Sequence, residues 1–207
     1  MTSAQQRALE VLLPKYGVPE GPVDPAVLFG REVRRSLEIG FGSGDVLLEL
    51  AQRHPDEDFL GVEVHRPGVG RLLLNLEMAG VGNVRIACED AVEFLGKRLP
   101  AASLDAVFIY FPDPWPKKRH HKRRLLQPDF VALLAQKLKV GGRLHFATDW
   151  EDYALHALDV LSVEHAFRNA SPAGGYMPRP PERPPTRFER RGLKLGHAVF
   201  DLVFVRT

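Results

Sequence analysis

Apolar positions along the chain fall into short β-rich runs separated by longer stretches with helical periodicity. RSLEIG (35–40), DFLGVEV (58–64), NVRIAC (83–88), LDAVFIY (104–110) and GRLHFAT (142–148) read as strands. Helices fit 44–54, 66–80, 90–98, 125–139 and 150–162, so five βα units follow one another and predict a doubly wound α/β sheet. Residues 1–30 suggest one short helix, about 3 to 13, then loop around Pro22 and Pro25, and form an N-terminal extension to a domain spanning 31–207. After residue 163 the pattern breaks into SPAGGYMPRPPERPPTRFERRG, whose five prolines between Pro178 and Pro185 exclude helix. Such a passage is usually a linker, but the apolar run HAVFDLVFVRT follows it, so it is expected to fold over one end of the sheet as a long loop.

At 207 residues and 44% hydrophobic composition the chain suits a single domain with a sizeable core. Its start lacks the basic and apolar segments of a signal peptide, and no run of about 18 apolar residues occurs, so a cytoplasmic protein is expected. Cys88 is the lone cysteine and is read as a thiol in a buried strand. The net charge of +2 conceals a local imbalance: KKRHHKRR (117–124) carries six positive charges, leaving the other 199 residues at −4.

Candidate chemistry begins at LEIGFGSGD, where a strand runs into a glycine turn and then a helix. Gly40, Gly42 and Gly44 allow a tight turn and close backbone approach to a ligand at a helix N-terminus. Glu63 ends the second strand at the spacing where a carboxylate accepts ribose hydroxyls. Asp90 follows the third strand, where it either meets an adenine amino group or caps the helix over AVEFL. Glu38 lies inside the first strand, and a carboxylate there repels a pyrophosphate while attracting an ammonium or sulfonium. Position 45 is also Asp45 rather than a third glycine, so S-adenosylmethionine is favoured over NAD.

After Tyr110, the residues Phe111, Pro112, Pro114 and Pro116 define a stiff loop that presents Asp113 and Trp115 at the carboxyl edge of the sheet. A carboxylate beside an aromatic plane suits a flat base; the alternative is a rigid turn whose tryptophan enters the core. The adjoining Lys117, Lys118, Arg119, Lys122, Arg123 and Arg124 match RNA phosphates, with His120 and His121 among them. Those adjacent imidazoles point apart and lack neighbouring ligands, so no metal is assigned. FATDW sets Asp149 at the end of the fifth strand, as a helix cap, a substrate contact or both. His65, His145, His156, His165 and His197 read as structural histidines.

LEIGFGSGD, FLGVEVH, FPDPWPKKRHHKRR, FATDW and TRFERRG occur in order over residues 35–207 and together closely resemble the tRNA (guanine-N7)-methyltransferase family of class I methyltransferases. The resemblance implies a seven-stranded Rossmann-like sheet whose last strand is antiparallel. It implies cofactor contacts from Glu38, Glu63, Asp90 and Asp113, with Asp113 catalytic. For the substrate it implies Lys117, Asp149 and the stretch Thr186, Arg187, Phe188 and Glu189; Glu189 would accept from the Watson–Crick edge of guanine if the proline-rich loop folds back. Methyl transfer from S-adenosylmethionine would leave S-adenosylhomocysteine and place 7-methylguanosine in tRNA, at position 46 of the variable loop. No protein partner is implied, and monomer and homodimer are both compatible with the pattern. Two rivals stand beside this reading: a methyltransferase for amino groups or small molecules, against which the basic run argues, and a non-catalytic RNA-binding subunit, against which the intact cofactor residues argue.

Overall fold

The uniform burial of Arg35–Ile39 and Asp58–Val62 marks strands covered on both faces, as a parallel sheet between two helical layers requires. A computed structural model describes residues 1–186, 189, 190, 192, 196 and 198–207. The strands are β1 (Arg35–Ile39), β2 (Asp58–Val62), β3 (Val84–Ala87), β4 (Leu104–Tyr110), β5 (Leu138–Thr148), β6 (Phe167–Asn169) and β7 (Phe200–Arg206). They form one seven-stranded sheet in the order β3-β2-β1-β4-β5-β7-β6. β1 to β5 are mutually parallel, whereas β7 runs antiparallel to both β5 and β6.

The helices are α1 (Ser3–Val11), α2 (Leu13–Tyr16), α3 (Pro25–Phe29), α4 (Asp45–Arg53), α5 (Arg66–Ala79), α6 (Ala91–Arg98), α7 (Pro128–Lys137) and α8 (Glu151–Val163). One core joins α6, α7 and α8 to the sheet through Phe94, Leu134, Tyr153, Ile109 and Phe146. The other joins α1, α4 and α5 through Leu9, Leu47, Leu72, Phe59 and Ile86. The N-terminal segment is divided between the layers: α1, opened by a capping box of Thr2 and Gln5, packs in the second, whereas Val18, which donates to the carbonyl of Ile86, and Val23, Leu28 and Phe29 pack on the first.

Several expectations shift. The segment around Pro25 is a short helix rather than loop, because Asp24 caps it and Pro25 occupies its first turn. β5 reaches back to Leu138 with a register shift opposite Leu104/Ala106, and α7 ends correspondingly earlier. β6 is three residues long with no apolar alternation to announce it. Cys88 lies just past β3 and is only partly buried, and burial pushes its thiol upward.

Contact between α5 and the glycine turn is unusually close. A Cβ on Gly68 would lie 2.0 Å from the carbonyl oxygen of Gly42, and one on Gly44 would meet Leu72 at 2.6 Å. Gly68→Ala is expected to destabilise the protein by about 2–3 kcal/mol through forced displacement of backbone against backbone. Chemical denaturation measures this, and wild-type stability in that variant would show that α5 does not bear on the turn.

Candidate active site

A cavity of about 510 Å³ opens at the carboxyl edge of the sheet, lined by Glu38, Gly40, Gly42, Tyr110, Phe111 and Thr186. The turn between β1 and α4 forms its floor, with Gly40 at φ +71°, Gly42 at +56° and Gly44 at +73°, a conformation that L side chains rarely adopt. Among the described residues nothing lies within 4 Å of where a Cβ would stand on Gly40 or Gly42, which leaves room for a ligand against their backbone.

Glu63 holds this turn in place. One carboxylate oxygen accepts from the Gly42 N–H at 2.8 Å and the other from the His65 N–H at 2.8 Å, tying the turn to the entry of α5. Each oxygen keeps a further lone pair, so this anchoring and a hydroxyl contact are compatible. Asp90 does cap α6, its Oδ1 accepting from Val92 at 2.8 Å and Glu93 at 3.1 Å, and it is exposed.

Glu38 is the chemically unusual member. It is 3% exposed, and its Oε2 has no hydrogen-bond partner among the described residues although it is buried. Burial above all, with Glu63 and Asp45 adding repulsion, pushes its carboxyl up to about 8. Such an orphaned acceptor in a ligand cavity fits a cationic group, which would supply both the missing hydrogen bond and the opposing charge.

Beyond Tyr110 the chain forms the proline loop. Phe111 at φ +52° and Trp115 at +46° are both left-handed, and Phe111 donates to the Ala147 carbonyl at 2.8 Å. Tyr110 pairs with Ala147 across β4 and β5, so Asp113 and Asp149 leave adjacent strands at the same edge. Asp113 is exposed, and Asp149 is partly buried and precedes the α8 cap, a position held by Trp150. Trp115 stays out of the core: Arg123 lies 5.1 Å over its ring and His120 meets it edge-on at 5.9 Å.

The basic run forms a 3-10 turn at Lys118–Arg123, with Lys117 at its cap. Lys117, Lys118, Arg119, Lys122 and Arg123 are exposed. His120 turns to Trp115 while His121 turns to Asp152 at 3.4 Å, so the two rings do separate. Arg124 departs from the phosphate-contact expectation. It is 2% exposed, pairs with Asp152, donates to the Pro114 carbonyl at 3.0 Å and lies 4.9 Å over the Tyr153 ring. Its charge is consumed in fastening the proline loop to α8. No group of three or more His, Cys, Asp or Glu suited to a metal occurs among the described residues.

The proline-rich passage returns to the edge, bringing Thr186 to the cavity. Thr186 Oγ1 accepts from the Glu189 N–H at 3.0 Å, and Glu189 in turn accepts from the Thr186 N–H at 3.3 Å. Glu189 is 3% exposed and forms a two-pronged ion pair with Arg183 at 2.7 and 2.9 Å. Arg187, Phe188 and His197 lie outside the described residues.

Sequence reasoning missed Gln5, His65 and Arg71, all of which line the cavity. His65 had a findable signal, since it caps α5 two residues after Glu63. Gln5 had none, because only the packing of α1 on α5 brings it there. His145 is structural in a stronger sense than expected, bridging the Tyr110 hydroxyl at 3.2 Å and Asp201 at 2.7 Å.

The strand order with its antiparallel β7, and a glycine turn under a buried carboxylate, define a class I methyltransferase. The model of a family described as "Putative methyltransferase" matches residues 33–202. Proteins named tRNA (guanine-N(7)-)-methyltransferase are close relatives: that of Halorhodospira halophila is 55% identical over 99% of this chain and 90% of its own length. That of Nitrosomonas eutropha is 53% identical over 99% of this chain and 91% of its own. The chain belongs to the tRNA (guanine-N(7)-)-methyltransferase family. Among solved structures, the 16S rRNA methyltransferase KamB shares the fold, with a TM-score of 0.66 at 14% identity, covering 91% of this chain and 96% of that one. A 16S rRNA (adenine(1408)-N(1))-methyltransferase from Catenulisporales acidiphilia does so at 0.62 and 16%, covering 93% and 95%. No described helix is long and apolar enough to cross a membrane.

The state of Glu38 can be read from stability. With its carboxyl raised from 4.5 to about 8, the folded protein holds a proton that the unfolded chain releases, so the associated stability is present below about pH 4.5 and lost as pH rises through 8. Glu38→Gln should flatten that decline in the ligand-free protein. Melting temperatures between about pH 5 and 8.5 check it, and parallel curves for variant and wild type would refute the assignment.

Proposed function

We propose that this protein transfers a methyl group from S-adenosylmethionine to N7 of a guanosine in tRNA, releasing S-adenosylhomocysteine. The orphaned Glu38 oxygen beside the open glycine turn carries the cofactor reading, because a methionine-derived cation answers both its charge and its missing hydrogen bond. Glu38 and the backbone of Gly40 and Gly42 would hold the amino-acid portion, Gly44 would shape the turn beneath it, Glu63 would meet the ribose, and Asp90 would serve the adenine end. The names of the relatives support guanine N7 and tRNA as the target.

Bound cofactor supplies an electrophilic methyl group. Neutral guanine N7 has a lone pair and no proton to lose, so the protein needs no general base. Its task is to align the base and to stabilise the positive charge that grows on the purine. Asp113, exposed on a loop fastened at both ends, is assigned to that charge, and Asp149 beside it to orienting the base. Thr186 and Glu189 read the base edge, with Arg187 and Phe188 assigned to the same stretch on the resemblance alone. Lys117, Arg119, His120, His121, Lys122 and Arg123 face the RNA, whereas Arg124 acts through Asp152. Position 46 in the variable loop is the proposed target, tRNA the partner, and the cytoplasm the site of action. The protein would work as a monomer or homodimer without a metal.

Incubation with labelled S-adenosylmethionine and unmodified bulk tRNA should yield 7-methylguanosine; methyladenosine, methylcytidine or no product would overturn the assignment. Asp113→Ala should lower turnover about 100- to 1,000-fold while tRNA affinity stays within a few-fold. Neutralising Lys117, Lys118, Arg119, Lys122 and Arg123 together should instead weaken tRNA binding and flatten its salt dependence, measured by titration at several salt concentrations. Normal binding by that variant would remove the basic turn from the interface.

A further inference from the structure

Arg183 comes from the middle of the proline-rich passage, yet its side chain is 0% exposed. Its guanidinium donates to two carboxylates, reaching Glu189 at 2.7 and 2.9 Å and Asp201 at 2.7 and 3.1 Å. It also lies 5.7 Å from the Tyr110 ring centroid and 5.8 Å from that of Phe111, two walls of the cofactor cavity. One side chain therefore touches the cavity wall, the start of the proline loop, the start of β7 and the loop that carries Thr186 and Glu189.

The other side of this group is equally well made. Asp201, on β7, accepts from both Arg183 and His145, and His145 reaches the Tyr110 hydroxyl. Burial pushes the Asp201 carboxyl upward, but His145 and Arg183 outweigh it and leave it below its usual value. The group thus rests on β4, β5 and β7 before it meets Glu189, so the arginine is held by the sheet and the loop is held by the arginine.

A carboxylate has about four lone-pair positions. Arg183 takes two of those on Glu189 and the Thr186 N–H takes a third. Among the described residues the further partner is Arg179, 46% exposed and 3.5 Å away, the loosest contact in the set. We propose that Arg183 is a positioning residue for base recognition: it grips Glu189 from within, aligns it with the cofactor cavity, and leaves the position now shared with Arg179 for an N–H donor of the guanine edge. The inference rests on Glu189 reading the base, as assigned above, and adds the residue through which that reading is aimed.

A double-mutant cycle tests it. Wild type, Arg183→Met, Glu189→Gln and the double variant are compared for kcat/KM on unmodified tRNA, for tRNA affinity, and for S-adenosylhomocysteine affinity by calorimetry, with melting temperature as the fold control. Arg183→Met should lower kcat/KM about 100-fold, the scale of losing a charged hydrogen-bond partner, with S-adenosylhomocysteine affinity within about threefold. In the Glu189→Gln background the same change should cost less than about threefold, because its effect passes through Glu189. Arg183→Lys, which keeps the charge and one donor direction, should recover roughly tenfold over Met and takes its place in the cycle should Met fail to fold. Equal losses in both backgrounds, or unchanged tRNA kinetics in Arg183→Met, would overturn the proposal. If wild type methylates some other nucleoside, the guanine-N7 reading fails separately, and the cycle in tRNA affinity still decides whether Arg183 acts through Glu189.

Discussion

Parallel strands cannot be joined by tight turns, so every connection among β1 to β5 must cross over through a helix and return to the same side. That constraint sends the ends of all five strands to one edge of the sheet. The glycine turn, Glu63, Asp90, the proline loop and Asp149 each follow a strand of this set, and so they converge without any being close in sequence. What remains is to keep that edge sharp. Glu63 does this for the first turn by accepting the N–H groups of Gly42 and His65, and Gly68 does so by letting the backbone of α5 rest on Gly42.

Charge is managed differently at the two sides of the site. Glu38 is buried, which raises its carboxyl, and among the described residues its Oε2 has no hydrogen-bond partner. Glu189 is buried with its partners already in place, held by Arg183 and Thr186. The Glu38 side of the edge is thus electrostatically incomplete in the free protein, while the Glu189 side, to which base reading is proposed, is assembled. Arg183 stands between them, against Tyr110 and Phe111, and makes the two halves neighbours in packing as well as in position.

Much of this was legible in the chain. The apolar runs located β1 to β4 within a residue or two, and the strand-end carboxylates Glu63, Asp90 and Asp149 do share one edge of the sheet, because both follow from local periodicity. Arg124 and Arg183 were not legible, and for one reason. Nothing in KKRHHKRR distinguishes its last arginine from the others; only the approach of Asp152 and Tyr153 on α8 converts it from a surface charge into a fastening. Arg183 likewise sits among prolines with no acid in pairing register, its partners 6 and 18 residues away. β6 escaped because three residues are too few to show a period, and α3 because its prolines were read as breakers when Pro25 was a starter.

The proline loop carries two residues, Phe111 and Trp115, in a backbone region that costs on the order of 1 kcal/mol or more for a side chain with a Cβ. The loop keeps them there because the Ala147 carbonyl holds one end and Arg124, bonded to Pro114 and Asp152, holds the other. Its shape is therefore settled when the domain folds, long before any RNA arrives. If this loop meets RNA as proposed, the nucleic acid encounters a preformed die rather than a segment to be ordered. The configurational entropy that a flexible loop surrenders on association would, at this position, already have been surrendered in folding.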